Sequence, residues 1–234
     1  MTLEETIAKL VDANHILAQE RVVDAFGHIS VRHPERPDRF LLSCSRSPEL
    51  VTPRDIMEFT LDGIPVDAAG RKPYFERFIH GAIFAIRPEV HSVVHNHSYD
   101  VIPFAVSKTP LRPVFHGAGN LGKSMPVWDI RTKFGATNML VNDIDKGRDM
   151  ATALGSNTVV LMRGHGCTVV GQTIEEAVLS SVYLQVNARL QTTAMQFGDV
   201  SYLHDDEIDV MQAARAAAPG NDRAWEYLLA RSRR

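Results

Sequence analysis

The stretch Val90-His91-Ser92-Val93-Val94-His95-Asn96-His97 decides how this chain is read. Its β-branched residues and short length mark a strand, and Pro88 stops a helix from running into it. Side chains alternate along a strand, so His95 and His97 point to one side. His91 falls on the same face and is not read as part of the set. A third histidine sits in Arg163-Gly164-His165-Gly166, between the strand-like runs 158–162 and 167–170. Its flanking glycines permit unusual backbone angles and close approach, so this turn can close on the pair. Among 10 histidines, a lone His-x-His also fits two hydrogen-bonded rings at a strand end. The glycine-flanked third ring tips the balance. Three converging imidazoles suit a divalent metal, and three protein ligands with an open position form a catalytic rather than a structural site.

Outward from this centre, Thr2 and Glu5 form a capping-box pattern, and Ile7, Leu10, Val11, Ile16 and Leu17 recur at helical spacing. Strands are predicted over 26–32, 39–44 and 57–61. Helices are predicted over 75–86, 99–107, 145–154 and 173–196, with two more closing the chain. Thr52-Pro53-Arg54-Asp55 reads as a cap and first helical turn. Strands and helices mix without regular βαβ alternation, which predicts a central, mostly antiparallel sheet with helices around it.

The 234 residues are 44% hydrophobic with a formal net charge of -3, which suits one large domain spanning 1–234 with a substantial core. The near-neutral balance points to no nucleic-acid or membrane-surface partner. No run approaches the roughly 18 apolar residues of a spanning helix. The acidic start MTLEETIAKL does not read as a signal peptide. Cys44 and Cys167 are the only cysteines, which fits a reducing cytoplasm. Both read as small buried residues.

Glu76 opens the helix ahead of the His95 strand, where a carboxylate is favoured by the helix dipole. A simple helix-terminal charge explains it, and so does a fourth metal ligand or an acid/base. Proton transfer and ligation would compete for this one group.

Taken together, Gly27-His28-Ile29-Ser30, Leu42-Ser43-Cys44-Ser45, Glu76-x-x-x-His80, Val94-His95-Asn96-His97-Ser98 and Gly164-His165-Gly166 resemble, in order, the motifs of the class II aldolase/adducin family. The resemblance runs from about residue 3 to about residue 210. It implies a three-layer α/β/α fold with a central, mainly antiparallel sheet, and a homotetramer with active sites near subunit interfaces. It also implies His95, His97 and His165 as metal ligands, with Glu76 as the carboxylate that ligates or shuttles a proton.

The departures narrow the chemistry. Where the family's sugar-phosphate aldolases carry Gly-Asn-Ile-Ser, this chain has His28. Their Thr-Pro-Ser-Gly-like loop becomes Ser43-Cys44-Ser45-Arg46, and their Ser-Ser pair becomes Tyr74-Phe75. Aromatic walls suit a planar ring better than a phosphate. Their proton-donating tyrosine is replaced in His116-Gly117, leaving His116 as a second candidate for proton transfer after Glu76. Phe26 to Arg32, Arg46 to Val51, Leu161 to Gly166, and Tyr183-Leu184 ahead of Asn187-Ala188-Arg189 resemble the family's decarboxylase branch. That branch implies a hydroxylated aromatic dicarboxylate as substrate. The first expectation is 3-hydroxy-2-methylpyridine-4,5-dicarboxylate of vitamin B6 degradation, and the second is 3,4-dihydroxyphthalate.

A ring hydroxyl beside the departing carboxylate gives, as its keto tautomer, a β-keto acid, and a Lewis-acidic metal stabilises the charge that develops on oxygen. The resemblance implies Mn2+; Zn2+, Fe2+ and Co2+ are alternatives on ligand chemistry. His28, Ser45, Arg46, Tyr74 and Phe75 are the expected substrate-binding residues. Arg46 is placed to meet the second carboxylate with two parallel hydrogen bonds, or else is a solvated loop charge. Arg77 and Arg163 read equally as ion-pair partners. Two other readings stand beside the decarboxylase. One is an aldolase on a hydroxy-keto acid. The other is a scaffold like the adducin head, which would not need the full metal set.

Overall fold

The computed structural model of the chain describes residues 1–217 and 222–233. Helix α1 (Leu3–Gln19) starts from the expected box: the Thr2 hydroxyl accepts from the Glu5 amide, and the Glu5 carboxylate accepts from the Thr2 amide. Three strands follow, β1 (His28–Arg32), β2 (Arg39–Ser43) and β3 (Ile56–Thr60), then α2 (Arg77–Ile86) and β4 (Ser92–Asn96). The middle of the chain holds α3 (Ile102–Val106), β5 (Val127–Trp128), α4 (Ile130–Phe134) and α5 (Ile144–Leu154). The hairpin β6 (Val159–Met162) and β7 (Gly166–Gly171) leads into the long α6 (Ile174–Phe197), α7 (Asp205–Ala217) and α8 (Asp222–Ser232).

The strands form one sheet in the order β3-β2-β1-β4-β7-β6-β5. Every pairing is antiparallel except β5 with β6. This is the expected mainly antiparallel sheet. The period-two pattern of the strands divides the core into two layers. Leu41, Val94, Val159, Leu161 and Val169 face one way and pack with Leu10, Ile16 and Leu17 of α1, Val178 and Leu184 of α6 and Leu228 of α8. Their strand neighbours Phe40, Leu42, Val93, Val160, Met162 and Val170 face the other way, against Ile79 and Ile83 of α2 and Met150 and Leu154 of α5. Burying a large aliphatic or aromatic side chain contributes about 1.5–3 kcal/mol. Both faces are therefore fully committed, which gives the three-layer α/β/α arrangement.

Some elements differ in extent from the sequence reading. The 99–107 helix shrinks to α3, because Pro103 has no amide hydrogen and fits only in a first turn. The 52–55 segment is a 3-10 turn over Pro53–Asp55 that feeds directly into β3. The helix expected from Phe75 begins at Arg77, with Glu76 as its N-cap residue. The strand expected over 90–97 covers only Ser92–Asn96, so His91 and His97 lie just outside it. The 116–134 region, for which the sequence reading gives no element, contains a 3-10 turn (His116–Leu121), β5 and α4.

Gly166 is where the hairpin meets β4 most closely. A Cβ there would lie 2.1 Å from the Asn96 carbonyl oxygen. Gly166→Ala must therefore push the β6–β7 hairpin away from β4. It should lower stability by about 1–3 kcal/mol, read as a fall in the urea midpoint. An unchanged midpoint would show that the two strands have slack at this point.

Candidate metal and substrate site

Sheet register builds the site. Asn96 pairs with Cys167 across β4 and β7. That pairing sets His95 and His97, on either side of Asn96, next to the β6–β7 turn that carries His165. Gly164 takes a left-handed φ of +65° in that turn, which glycine adopts at little cost. His28 pairs with His95 on β1, so both project to the α2 side of the sheet. The N-terminus of α2 completes the group with Glu76.

The donor atoms converge. His97 Nε2 lies 3.2 Å from His95 Nε2 and 3.1 Å from His165 Nε2. Glu76 Oε2 is 3.5 Å from each of the His95 and His165 Nε2 atoms. One ligand atom from each of the four residues lies within 4.8 Å of all the others. The set fits a divalent cation on hydrogen-bond grounds. His95 Nδ1 meets the Cys167 carbonyl at 3.1 Å and His165 Nδ1 meets the Met139 carbonyl at 3.0 Å. A carbonyl only accepts, so both Nδ1 atoms carry the hydrogen. In the neutral rings the Nε2 lone pairs then face inward. A hydrogen on His97 Nε2 can satisfy only one of them. An unsatisfied buried acceptor costs about 1–3 kcal/mol, and a shared cation removes that cost.

The electrostatics agree with a ligand role. Burial pushes His97 down to about 4, and any positive charge placed at His95 or His165 adds to this. It is therefore neutral, the ligating form, near pH 7. Burial of Glu76 favours its neutral form, but positive charge at His165 and His95, on the rings or on a cation between them, outweighs that and holds the carboxyl well below the usual carboxylate range. Its other oxygen accepts from the Val141 amide at 2.9 Å. Residues 139–141 are therefore tied to the site at two points. Met139 sits at φ +65°, an unusual conformation for a side-chain-bearing residue.

A cavity of about 400 Å³ opens beside the cluster and is lined by His28, Ser45, Arg46, Tyr74, Phe75, Glu76 and His97. All five expected substrate-binding residues thus face one space with two of the expected ligands. Phe75 is largely exposed there, whereas the Tyr74 hydroxyl is anchored by Ser43 and the Arg46 backbone. The Arg46 Nε donates to the Leu50 carbonyl at 2.6 Å and lies 3.5 Å from Asp55. Its Nη atoms have no partner among the described residues.

His116 lies elsewhere. It lines a separate groove with Leu203, Val210 and Met211. Arg163 is paired with Asp129, and Arg77 donates to the Gly63 and Tyr74 carbonyls, so both have structural partners. Cys167 is sealed in the core, and burial pushes its thiol up to about 12. Cys44 is half-buried beside Asp55, and burial raises its thiol too.

The sequence reading missed a second histidine contact. His28 Nδ1 lies 2.7 Å from His80 Nε2, and His80 Nδ1 lies 2.6 Å from the Ser30 hydroxyl. The spacing contained the signal: His80 follows Glu76 by one helical turn, and Ser30 follows His28 by one strand period.

The family described as Class II Aldolase and Adducin N-terminal domain matches residues 8–192, and the chain belongs to it. The chain is 38% identical over 202 residues to the decarboxylase tropJ of Talaromyces stipitatus, covering 81% of this chain and 76% of that one. It is 28% identical over 238 residues to the 3,4-dihydroxyphthalate decarboxylase of Terrabacter sp., covering 95% of both chains. Among solved structures, an aldolase II superfamily protein from Pseudomonas syringae superposes with a TM-score of 0.82 at 22% identity. That match covers 99% of this chain and 93% of the other, and it shows the shared fold.

Replacing His95 by alanine removes one donor and leaves the sheet register intact. Purified His95→Ala should retain its far-ultraviolet circular dichroism but hold no stoichiometric divalent cation after incubation with Mn2+ or Zn2+. A metal content equal to that of the parent protein would remove His95 from the site.

Proposed function

We propose that this chain is a metal-dependent carboxy-lyase that releases CO2 from a hydroxylated aromatic dicarboxylate. The observation that carries this reading is the aromatic-walled cavity opening directly onto the four-residue cluster. The names of the decarboxylase relatives support it. 3,4-Dihydroxyphthalate is the first ring to test, because a relative that covers nearly the whole chain is named for it. 3-Hydroxy-2-methylpyridine-4,5-dicarboxylate has the same arrangement of hydroxyl and carboxylates and comes second. Its assignment rests on the sequence resemblance alone.

A divalent cation, with Mn2+ as the first candidate, would be held by His95, His97 and His165 and would supply Lewis acidity for charge developing on the ring oxygen. Glu76 would ligate it only when not engaged in proton transfer. Tyr74 and Phe75 flank the planar ring. Arg46 turns its free Nη atoms to the carboxylate that stays. Glu76, held as a carboxylate, takes the proton of the ring hydroxyl and passes it to the carbon bearing the departing group. Loss of CO2 from the resulting dienone returns its electron pair to the ring, and the aromatic oxide remains. Charge and atoms balance without an external oxidant or reductant.

His116 belongs to this chemistry only through a neighbouring subunit, since its groove is separate within one chain. A homotetramer would provide that neighbour, and the exposed Tyr99, Val106 and Phe197 support apolar contact between copies.

The test is a panel of hydroxylated aromatic dicarboxylates assayed for CO2. Release should occur with metal-loaded protein, stop with a chelator and return on adding Mn2+. A panel that yields no CO2, or a carbonyl cleavage product in its place, would overturn the decarboxylase reading. On the best substrate, Arg46→Ala should raise KM by roughly tenfold or more, the worth of one charge-assisted hydrogen bond, with a smaller change in kcat. Unchanged kinetics would leave Arg46 as a loop charge paired with Asp55.

A further inference from the structure

The contact of Ser30, His80 and His28 does something that none of the three residues does alone. Ser30 and His80 are fully buried, and His28 is 4% exposed. Both His80 nitrogens are engaged, Nδ1 with the Ser30 hydroxyl and Nε2 with His28 Nδ1. The ring is fully buried and neither of its partners is a carboxylate, so it is neutral and carries a single N–H.

Two arrangements of that hydrogen are available. In one, His80 Nδ1–H donates to Ser30. The serine hydroxyl hydrogen must then find another acceptor, and among the described residues Ser30 Oγ has no partner besides His80. In the other, Ser30 donates to His80 Nδ1 and His80 Nε2–H donates to His28 Nδ1, so both buried contacts are satisfied and the one unpaired hydrogen is on the solvent-reachable His28 Nε2. Leaving a buried hydroxyl hydrogen unpaired costs about as much as a lost hydrogen bond, so the second arrangement prevails. His28 Nδ1 then carries no hydrogen, and the ring's proton sits on Nε2. That atom has no partner among the described residues and is not sealed from solvent. The ring lines the cavity, 4.6 Å from the Tyr74 ring and 5.1 Å from the His95 ring, centroid to centroid.

We propose that Ser30 and His80 fix the tautomer of His28, making its Nε2–H a standing hydrogen-bond donor to an anionic oxygen of the ring substrate. The proposal rests on the decarboxylase reading for the identity of the ligand, but not for the tautomer. His28 is then neither a base nor a ligand for the cation, because its pocket-facing nitrogen has no free lone pair. It is a specificity residue. A ring that presents an oxyanion to it is accepted, and a ring that presents an amine or another donor leaves two hydrogens facing each other and is rejected. His80 and Ser30 are positioning residues that act through it.

The first measurement is 15N nuclear magnetic resonance of metal-free protein labelled at histidine, with His28→Gln and His80→Gln used to assign the two rings. Both should be neutral at pH 7, with bare Nδ1 and protonated Nε2. A His28 ring protonated on Nδ1 overturns the proposal. The second is binding of phthalate, an unreactive ring dicarboxylate, to metal-loaded protein. His28→Phe should lose roughly tenfold in affinity, whereas His28→Gln, which keeps an N–H donor, should recover most of it. Equal affinity in all three proteins overturns the donor role. If the CO2 panel fails while the tautomer and the phthalate result hold, the decarboxylase reading falls and the donor site stands. If the phenylalanine variant does not fold, the spectrum of the parent protein still decides.

Discussion

The antiparallel register between β4 and β7 is the constraint on which the site depends. It pairs Asn96 with Cys167 and thereby brings residues 71 positions apart into contact. A slip of one residue would turn His95 to the opposite face of the sheet and move the His165 turn out of reach. The register is held by core residues on both faces, Val93 and Val170 on one side and Val94 and Val169 on the other. The same side chains that stabilise the fold therefore set the spacing of the imidazoles. The close approach of Gly166 to the Asn96 carbonyl belongs to that fit.

The two faces of the sheet do different work. The α1, α6 and α8 side carries a large apolar cluster, and α1 and α6 also bury polar residues such as Asn14, Ser180 and Ser181. The α2 side is apolar over most of its area but turns polar at one end, where His28, Ser30, His95, Glu76 and His80 meet. Buried polar groups are costly unless each finds a partner. Here the partners are backbone carbonyls for His95 and His165, the Val141 amide for Glu76, and the Ser30 hydroxyl for His80. At this polar end the inward lone pairs of the cluster and His28 Nε2 are left without a protein partner, while elsewhere among the described residues Asn14, Asn96 and Ser180 also keep a buried polar atom unpaired. The part of the unmet hydrogen-bonding capacity that lines the cavity is the part a ligand can reach.

Much of this was legible in the sequence. The β-branched run before His95, the glycines around His165 and the capping box at Thr2 each have a local physical cause that spacing reveals, and α2 follows from its apolar period. The Gly27-to-Gly166 order of motifs led to the family. Other features depended on contacts distant in sequence. His80 looked like part of a helix motif, because nothing local says that it faces a strand residue 52 positions earlier. Met139 and Val141 lie in a stretch without periodicity, and they reach the site through backbone atoms, which side-chain patterns do not report. His116 was singled out by a motif position, yet the fold of one chain puts it in a different groove.

The grip on residues 139–141 carries a thermodynamic consequence. His165 holds the Met139 carbonyl and Glu76 holds the Val141 amide, across a backbone position whose left-handed φ at Met139 stores of order 1 kcal/mol. Whatever settles among the imidazoles stiffens this strap, and whatever loosens the strap weakens the hold on the guest by the same free energy, because the two equilibria are linked. Affinity at the centre is thus partly set in a loop that offers it no ligating side chain.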